Sequence, residues 1–495
     1  MPSLLLGIDV GTTATKAVLF DPSSGIVATA SRPVPLLTEL PGRAEADPAV
    51  WSANVSELVG ELTTAAGVTS ASIAGLAVTG MVPAIVAIDS DGRPVRAAIL
   101  QNDARAVTEI EQLTEILSDL DLLALTGSAL TQQSVAPTAL WLARHEPEVW
   151  ARCVAILGSY DWLAADLGAD LHVERNWAIE SGLFTIAGAP LPDVFEAANL
   201  PRATVPGIRD PGDAVGVVSD GAAARTGLVA GTPIFVGGAD HVLGAVAAGL
   251  ASPGDWLVKL GGGGDILTVS DRVVIDARLY LDAHPAPGLW LPNGCMATSG
   301  SLVRWYSALV GETDLARLDA EAAVTSPGGV LCLPYFLGEK SPLHDPDLRG
   351  AFLGLGLDDG RGSMFRAVLE GVAFGFRHHR DILGEHDSAL APDARISDGG
   401  SRSALWVQIH ADVLGTPMTT VLGDSGAALG AAISAAIGAG LVSGWDVASD
   451  YVRIGTTVEP DASRTALYDE LYGQWRLAAA AIAPISHTLA RRSRP

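Results

Sequence analysis

The chain has 495 residues, 48% of them hydrophobic and only 18% charged, with a formal net charge of −25. That length exceeds one ordinary core, so two domains of roughly 200 to 250 residues each are expected. An acidic balance with no basic patch argues against nucleic acid or an anionic membrane surface as a partner, since both need clustered positive charge. Lysine occurs only at Lys16, Lys259 and Lys340; a chain otherwise settled on Arg keeps Lys where a compact ammonium is needed, or simply for an ion pair. Cys153, Cys295 and Cys332 form no metal-ligand spacing and read as buried, reduced thiols. His378 and His379 are adjacent, so on a helix they would point to different faces, which argues against a metal site there. The first residues lack a basic region followed by an apolar run; no signal peptide is expected, and a cytoplasmic location follows.

The apolar run 4–8 leads into Asp9, then Gly11-Thr12-Thr13, then a second apolar run ending at Asp21. This reads as a β-hairpin with no helix directly after it, unlike the strand, loop and helix of a Walker phosphate loop. Backbone N–H groups of such a turn, with the Thr12 and Thr13 hydroxyls, can donate to phosphate oxygens, and Lys16 lies beside them. Asp9 at the strand end can hold Mg²⁺, directly or through water. Beyond Pro41-Gly42-Arg43, helical spacing covers 51–66, with Asp47 near its start and Pro48 early in it. Strands are expected at 73–78, 85–88 and up to Leu100. Polar or unusual residues at such strand ends are where α/β proteins place ligand contacts, so Met81, Asn102 and Asp103 are candidates; turn and helix-cap chemistry is their equal rival. Helical patterns follow over 106–123 and 137–166, and 190–230 reads as loops around short strands.

The run 233–236 then enters Gly237-Gly238-Ala239-Asp240-His241. Glycines there leave room for a ligand to approach the main chain, and the Asp240 carboxylate can act as general base for phosphoryl transfer or merely cap the next helix. The segment 256–260, Gly261 to Gly264 and the run closing at Asp271 repeat the first hairpin, with the same separation from turn glycine to closing aspartate as Gly11 to Asp21. A duplicated fold would produce that echo. Farther on, Val368, Val372 and Phe376 form one helical stripe with Arg366, Glu370 and Arg377 off it. Asp398-Gly399-Gly400-Ser401 opens another helix, lined inside by Trp406, Ile409 and Val413, and helix N-termini bind phosphate. Asp424-Ser425-Gly426 starts an Ala/Gly-rich run, 425–442, that reads as a closely packed helix rather than a membrane span.

In this order, Asp9-Val10-Gly11-Thr12-Thr13, Gly237 to Asp240, Asp345-Pro346 with Arg349-Gly350, Arg366 to Gly371, and Asp398 to Gly415 resemble the FGGY carbohydrate kinase family over nearly the whole chain. The resemblance implies an α/β fold of two actin-like ATPase (ribonuclease H-like) domains related by duplication around a central cleft, here 1–245 and 246–495. It implies Asp240 as catalytic base, Asp9 near Mg²⁺, and Thr12, Thr13 and Lys16 beside the transferring phosphate. Gly261 and Gly262 would belong to the second phosphate hairpin, with Gly300, Arg304, Gly400 and Ala404 near the nucleotide. Met81, Val82, Asp103, Asp240 and His241 would contact the sugar. ATP/ADP and a small sugar or polyol are the implied ligands, and a homodimer is an assembly the resemblance allows.

Three departures stand out. Gly262-Gly263 lacks the hydroxyl residue usual after the first glycine of the second hairpin. Val82 replaces the His that follows Met in the xylulokinase branch, and an apolar side chain cannot donate to a sugar hydroxyl. Trp177, within Glu174-Arg175-Asn176-Trp177, would narrow the sugar pocket. The expected activity is ATP-dependent phosphorylation of a ketopentose such as xylulose, with another pentulose or a polyol (pentitol, erythritol, glycerol) as the alternative. A non-catalytic sugar or nucleotide sensor and an actin-like phosphatase are the rival classes; product formation and sugar-independent phosphate release, respectively, discriminate them.

Overall fold

The computed structural model describes residues 3–38, 42–386, 390–423 and 426–493, so Pro41, Asp424 and Ser425 of the motifs above lie outside the described residues. The chain forms two compact units. Unit 1 comprises Met1–Ala251, Asp282–Leu289 and Ser425–Tyr451; unit 2 comprises Ser252–Leu281, Trp290–Asp424 and Val452–Pro495. Unit 1 therefore takes in two stretches that lie in the C-terminal half of the sequence.

Unit 1 is built on a six-stranded sheet of β1 (Leu4–Val10), β2 (Ala14–Asp21), β3 (Gly25–Pro33), β4 (Ile73–Gly80), β5 (Ala214–Val217) and β6 (Pro233–Ala239), in the order β5-β6-β4-β1-β2-β3. Every residue of β1 is buried, as a strand covered on both faces requires, which is why 4–8 reads as an unbroken apolar run before Asp9. The helix Gly426–Gly438 packs against this sheet, and small residues set the approach. A Cβ on Gly7 would fall 1.9 Å from the Ala428 carbonyl oxygen, and one on Gly430 would fall 2.3 Å from that of Leu243. No helix among the described residues is long and apolar enough to cross a membrane.

The expected helix at 51–66 spans Pro48–Ala66; Asp47 caps it by accepting from the Ala49 N–H, and Gly67 ends it with φ 66°. The helical expectation for 137–166 needs correction. Helices Val135–His145 and Ser159–Leu167 are separated by a short helix at Pro147–Trp150 and the strand Ala155–Leu157. Pro147 cannot continue the first helix, and the apolar triplet gains a ladder with Val86–Ile88. Likewise 190–230 contains two short helices, Pro192–Ala197 and Asp220–Thr226, and 106–123 breaks after Ile116.

Unit 2 holds, apart from the last two residues of β9, which fall in unit 1, a seven-stranded sheet of β7 (Trp256–Leu260), β8 (Gly264–Thr268), β9 (Tyr280–Ala283), β10 (Trp290–Met296), β11 (Ala394–Ser397), β12 (Met418–Val421) and β13 (Ile454–Val458), ordered β9-β10-β8-β7-β11-β12-β13. The path β10-β8-β7-β11-β12-β13 repeats β3-β2-β1-β4-β6-β5 in strand direction. In each unit a hairpin and its third strand are antiparallel, two parallel strands follow beside the first hairpin strand, and an antiparallel strand closes the edge. The short sequence echo between the two glycine turns thus extends to a whole repeated sheet.

Helix Arg361–Glu385 buries the expected stripe of Val368, Val372 and Phe376. Arg366 and Glu370, expected off that stripe, are buried as well, because Tyr468 of the long helix Ala462–Ser493 covers them. Of the three cysteines, all free, Cys332 is buried as expected, whereas Cys153 and Cys295 are only half-buried.

Candidate active site

In unit 1, three adjacent parallel strands end level with one another. Val10 of β1 pairs with Gly80 of β4, and Gly80 with Ala239 of β6. Asp9, Met81 and Asp240 therefore belong to one edge of the sheet, the outer two on strands about 10 Å apart, since neighbouring strands lie about 4.8 Å from each other. Asp9 is buried and stands opposite Lys16 across the hairpin. The Thr12 hydroxyl approaches the Met81 sulfur at 3.9 Å, while Thr13 is exposed at the turn. Asp240 is the first residue of the helix Asp240–Ala247, the cap position being Ala239, and its side chain is 32% exposed. That accessibility is what a general base needs.

Met81 and Val82 are both buried, and the loop they begin is held from behind. Ser159 Oγ donates to the Met81 carbonyl at 3.2 Å, and Trp177 Nε1 donates to the Ala84 carbonyl at 2.9 Å. Trp177 is itself fully buried, so it braces this loop rather than narrowing a pocket with its own surface. Glu174 caps the helix Arg175–Glu180, which carries Trp177, by accepting from the N–H groups of Asn176 and Trp177 at 2.9 and 3.3 Å; burial pushes its carboxyl up to about 7. Asp103 spends its acceptor capacity inside the protein: Oδ1 takes the Arg105 backbone N–H and Nε, and Oδ2 takes Ala44 N–H and Arg105 Nη2, at 2.7 to 3.0 Å. Arg105 also bonds Glu45. The turn chemistry weighed for Asp103 from sequence is thus what its contacts display.

His241, next to Asp240, meets two residues that sequence reasoning did not single out for the site. Its Nε2 lies 2.8 Å from Asp282 Oδ2, and Glu180 joins them in a cluster in which one ring nitrogen and one oxygen of each carboxyl all fall within 4.8 Å of one another. Asp282 belongs to the late segment of unit 1, which is anchored by a two-way bond between Asn176 and Ala283.

In unit 2 the second hairpin is tied to the start of helix Gly300–Leu309. The Gly261 carbonyl accepts from Gly300 N–H at 2.8 Å, and the Gly262 carbonyl from Ser299 and Ser301 N–H at 3.0 and 2.9 Å. The N–H of a trans peptide points opposite to its carbonyl, so the Gly262 and Gly263 N–H groups face away from that helix, available to an anion. Glycine at these positions keeps the space open: a Cβ on Gly262 would sit 3.3 Å from Arg304 Nη2, and one on Gly300 2.6 Å from the Gly261 oxygen. Asp398, at φ 69°, turns the chain back beside Gly261, and Gly400 packs so tightly on Leu260 that a Cβ would reach it at 2.5 Å. Ala404 is exposed at the first position of helix Ala404–Leu414, which Ser403 caps. The expected nucleotide-side residues are therefore gathered at one end of this sheet. Lys259 and Asp265 face each other at 3.7 Å on the second hairpin, as Asp9 and Lys16 pair in register on the first, with the charges exchanged.

The sequence matches the N-terminal domain of the FGGY family of carbohydrate kinases over residues 4–247 and the C-terminal domain of that family over 267–439. The chain belongs to the FGGY family of carbohydrate kinases. Among its FGGY relatives, the xylulose kinase of Lactococcus lactis is 28% identical over 492 residues, 98% of each chain. The crystal structure of xylulose kinase from Rhodospirillum rubrum is 41% identical, with a TM-score of 0.88 over 98% of this chain and 100% of that one. A gluconate kinase from Lactobacillus acidophilus, 21% identical with a TM-score of 0.89 over 97% and 98% of the two chains, shares the fold. As an FGGY kinase the protein uses ATP to phosphorylate a carbohydrate, and its two repeated sheets are the actin-like ATPase architecture of that family.

Proposed function

We propose that this FGGY kinase transfers the terminal phosphate of ATP to a ketopentose, xylulose first, with Asp240 as general base. The observation that carries the reading is the partly exposed Asp240 carboxylate on the same sheet edge as Asp9 and Met81. Phosphoryl transfer asks a protein for positioning and charge neutralisation, plus a base near the attacking hydroxyl. Asp240 would take that proton. Asp9 suits Mg²⁺ by its chemistry, a carboxylate at a strand end beside a glycine turn; bound there, the ion would neutralise phosphate charge. Thr12, Thr13 and Lys16 would attend the transferring phosphate. The second hairpin, with Gly261 and Gly262, would offer the backbone N–H groups of Gly262 and Gly263 to the nucleotide, with Gly300, Arg304, Gly400 and Ala404 around it.

On the sugar side, Met81 and Val82 would form an apolar wall and His241 the polar contact, while Asp103 would contribute through the loop it holds. The relatives named xylulose kinases support that substrate. Val82 favours the second reading, another pentulose or a polyol, because it removes a hydroxyl partner from the wall. Purified protein assayed for ADP release over pentuloses, hexuloses, pentitols, tetritols and glycerol tests this; the highest kcat/KM is expected for xylulose, and a preference for a polyol would overturn the substrate. In the same assay Asp240→Asn should lose about 100-fold or more in kcat with nucleotide binding intact. Retention of most turnover would remove Asp240 as the base.

A further inference from the structure

The ring of His241 is flanked by carboxylates at both nitrogens. Nε2 stands 2.8 Å from Asp282 Oδ2, and Nδ1 stands 3.6 Å from Asp240 Oδ1. Glu180, at the end of helix Arg175–Glu180, adds a third carboxyl to the Asp282 side. These three groups come from three separate elements of unit 1, and among the described residues they are the titratable side chains that act most strongly on the ring.

A neutral imidazole carries one N–H and one lone pair. Whichever tautomer is drawn, one carboxylate would then face a lone pair, an unfavourable arrangement. Only the doubly protonated ring presents a donor toward both. The exposure of the two partners is unequal: the Asp282 side chain is 2% exposed against 32% for Asp240. Asp282 is therefore the fixed end of the arrangement, and Asp240 the end that a ligand can reach.

Glu180 resolves the remaining charge. Three ionised carboxylates around one imidazolium would leave an excess of negative charge in a half-buried place, whereas a protonated Glu180 can donate to Asp282 and remove one of them. Burial, followed by the Asp282 charge, raises the Glu180 carboxyl well above the ordinary carboxylate range. For His241 burial opposes the charge, but the carboxylates of Asp282 and the nearby Asp240 outweigh it, and the ring is held well above the usual imidazole range.

We propose that Asp282 and Glu180 are positioning residues that hold His241 as an imidazolium aimed at Asp240, so that the base works at the open end of an ordered chain, Glu180 to Asp282 to His241 to Asp240. The proposal rests on the reading of Asp240 as base. In it, the imidazolium keeps the Asp240 carboxylate ionised and fixed in orientation, ready to receive the hydroxyl proton. Asp282 and Glu180 act only through His241.

The test is a titration of the full-length protein carrying ¹⁵N-labelled histidine, followed by long-range nitrogen–proton correlation spectra, with His241→Gln to assign the ring. In the parent protein His241 should remain doubly protonated at pH 8. Asp282→Asn should lower its midpoint by at least one pH unit, and Glu180→Gln should shift it detectably. The alkaline limb of the kcat/KM profile should move down by a matching amount in Asp282→Asn, with activity partly recovered at pH 6. A purely structural role would scale the profile without moving it. An ordinary midpoint near 6.5 for His241 in the parent would overturn the proposal, as would an unmoved profile in Asp282→Asn. Should Asp282→Asn fail to fold, the parent titration and Glu180→Gln decide. The ring titration does not depend on turnover, so an active Asp240→Asn would sink the base while leaving the His241 result separately readable.

Discussion

Arg366 Nε donates to Glu370 Oε1 at 2.7 Å, one helical turn apart on the same helix, and both side chains are buried. Tyr468 closes the arrangement, its hydroxyl 3.1 Å from Arg366 Nη2 and 2.7 Å from Glu370 Oε1, while Gly328 N–H reaches Glu370 Oε2 at 3.1 Å. Removing one partner of such a buried pair strands the other charge. Glu370→Leu should therefore lower the stability of unit 2 by about 3–5 kcal/mol in urea unfolding. Tyr468→Phe, which deletes one hydroxyl and leaves both charges paired, should cost about 1–2 kcal/mol.

Close packing between two helices supports the proposed base. Gly430 lies against the backbone of Leu243, on the helix that begins with Asp240, and an added Cβ would come within 2.3 Å of the Leu243 oxygen. Gly430→Ala must push that helix aside, at about 1–3 kcal/mol. The kinetic expectation is a fall in kcat larger than any change in the KM for ATP, measured by initial rates. An unchanged kcat would mean that the displacement stops short of Asp240.

The loop after Met81 depends on one indole. Trp177→Phe removes the donor to the Ala84 carbonyl and leaves a buried acceptor unpaired, at about 1–3 kcal/mol. Its sugar KM should rise while the KM for ATP stays put. Equal changes in both would indicate general loosening instead.

Acid should destabilise the protein through buried imidazoles. Burial lowers His379 and His410 to about 4, below the ordinary value of 6.5. A depressed folded pKa means that the unfolded chain binds protons first, so the stability these rings contribute is complete above about 6.5 and is lost as pH falls toward 4. The urea midpoint should drop across that window. His410→Phe, which keeps a ring between Phe376 and Trp406, should make the drop shallower.

Glu339 acts in the opposite sense. Burial raises its carboxyl to about 8, so its contribution is fully present below about 4.5 and is lost as pH rises through 8. Glu339→Gln should therefore gain stability relative to the parent at pH 9 and not at pH 4, as read from denaturant midpoints at the two values.

Local chemistry explains what was legible in the sequence. Both glycine hairpins, the strand running into Asp240 and the Pro48 helix are specified by residues within a few positions of each other, and each forms where expected. Long-range pairing decided the rest. Ala155–Leu157 became a strand only because Val86–Ile88 offers it a ladder, and Arg366 with Glu370 became interior only because Tyr468 arrives from about a hundred residues away. Glu180 and Asp282 carry no motif; they gain meaning where the fold brings them to one imidazole ring. Asp103 is the converse, a strand-end carboxylate whose lone pairs the chain itself consumes.

Unit 1 includes Asp282–Leu289 and the helix Gly426–Gly438 as well as the first half of the chain. During synthesis, its central sheet must wait for a covering helix that leaves the ribosome only after most of the polypeptide has been made. A gene cut after Ala251 should yield an insoluble product, because the apolar face of β1 would meet water where Ala428 and Ala432 belong. Supplying residues 252–495 in trans is the complementation that should rescue it.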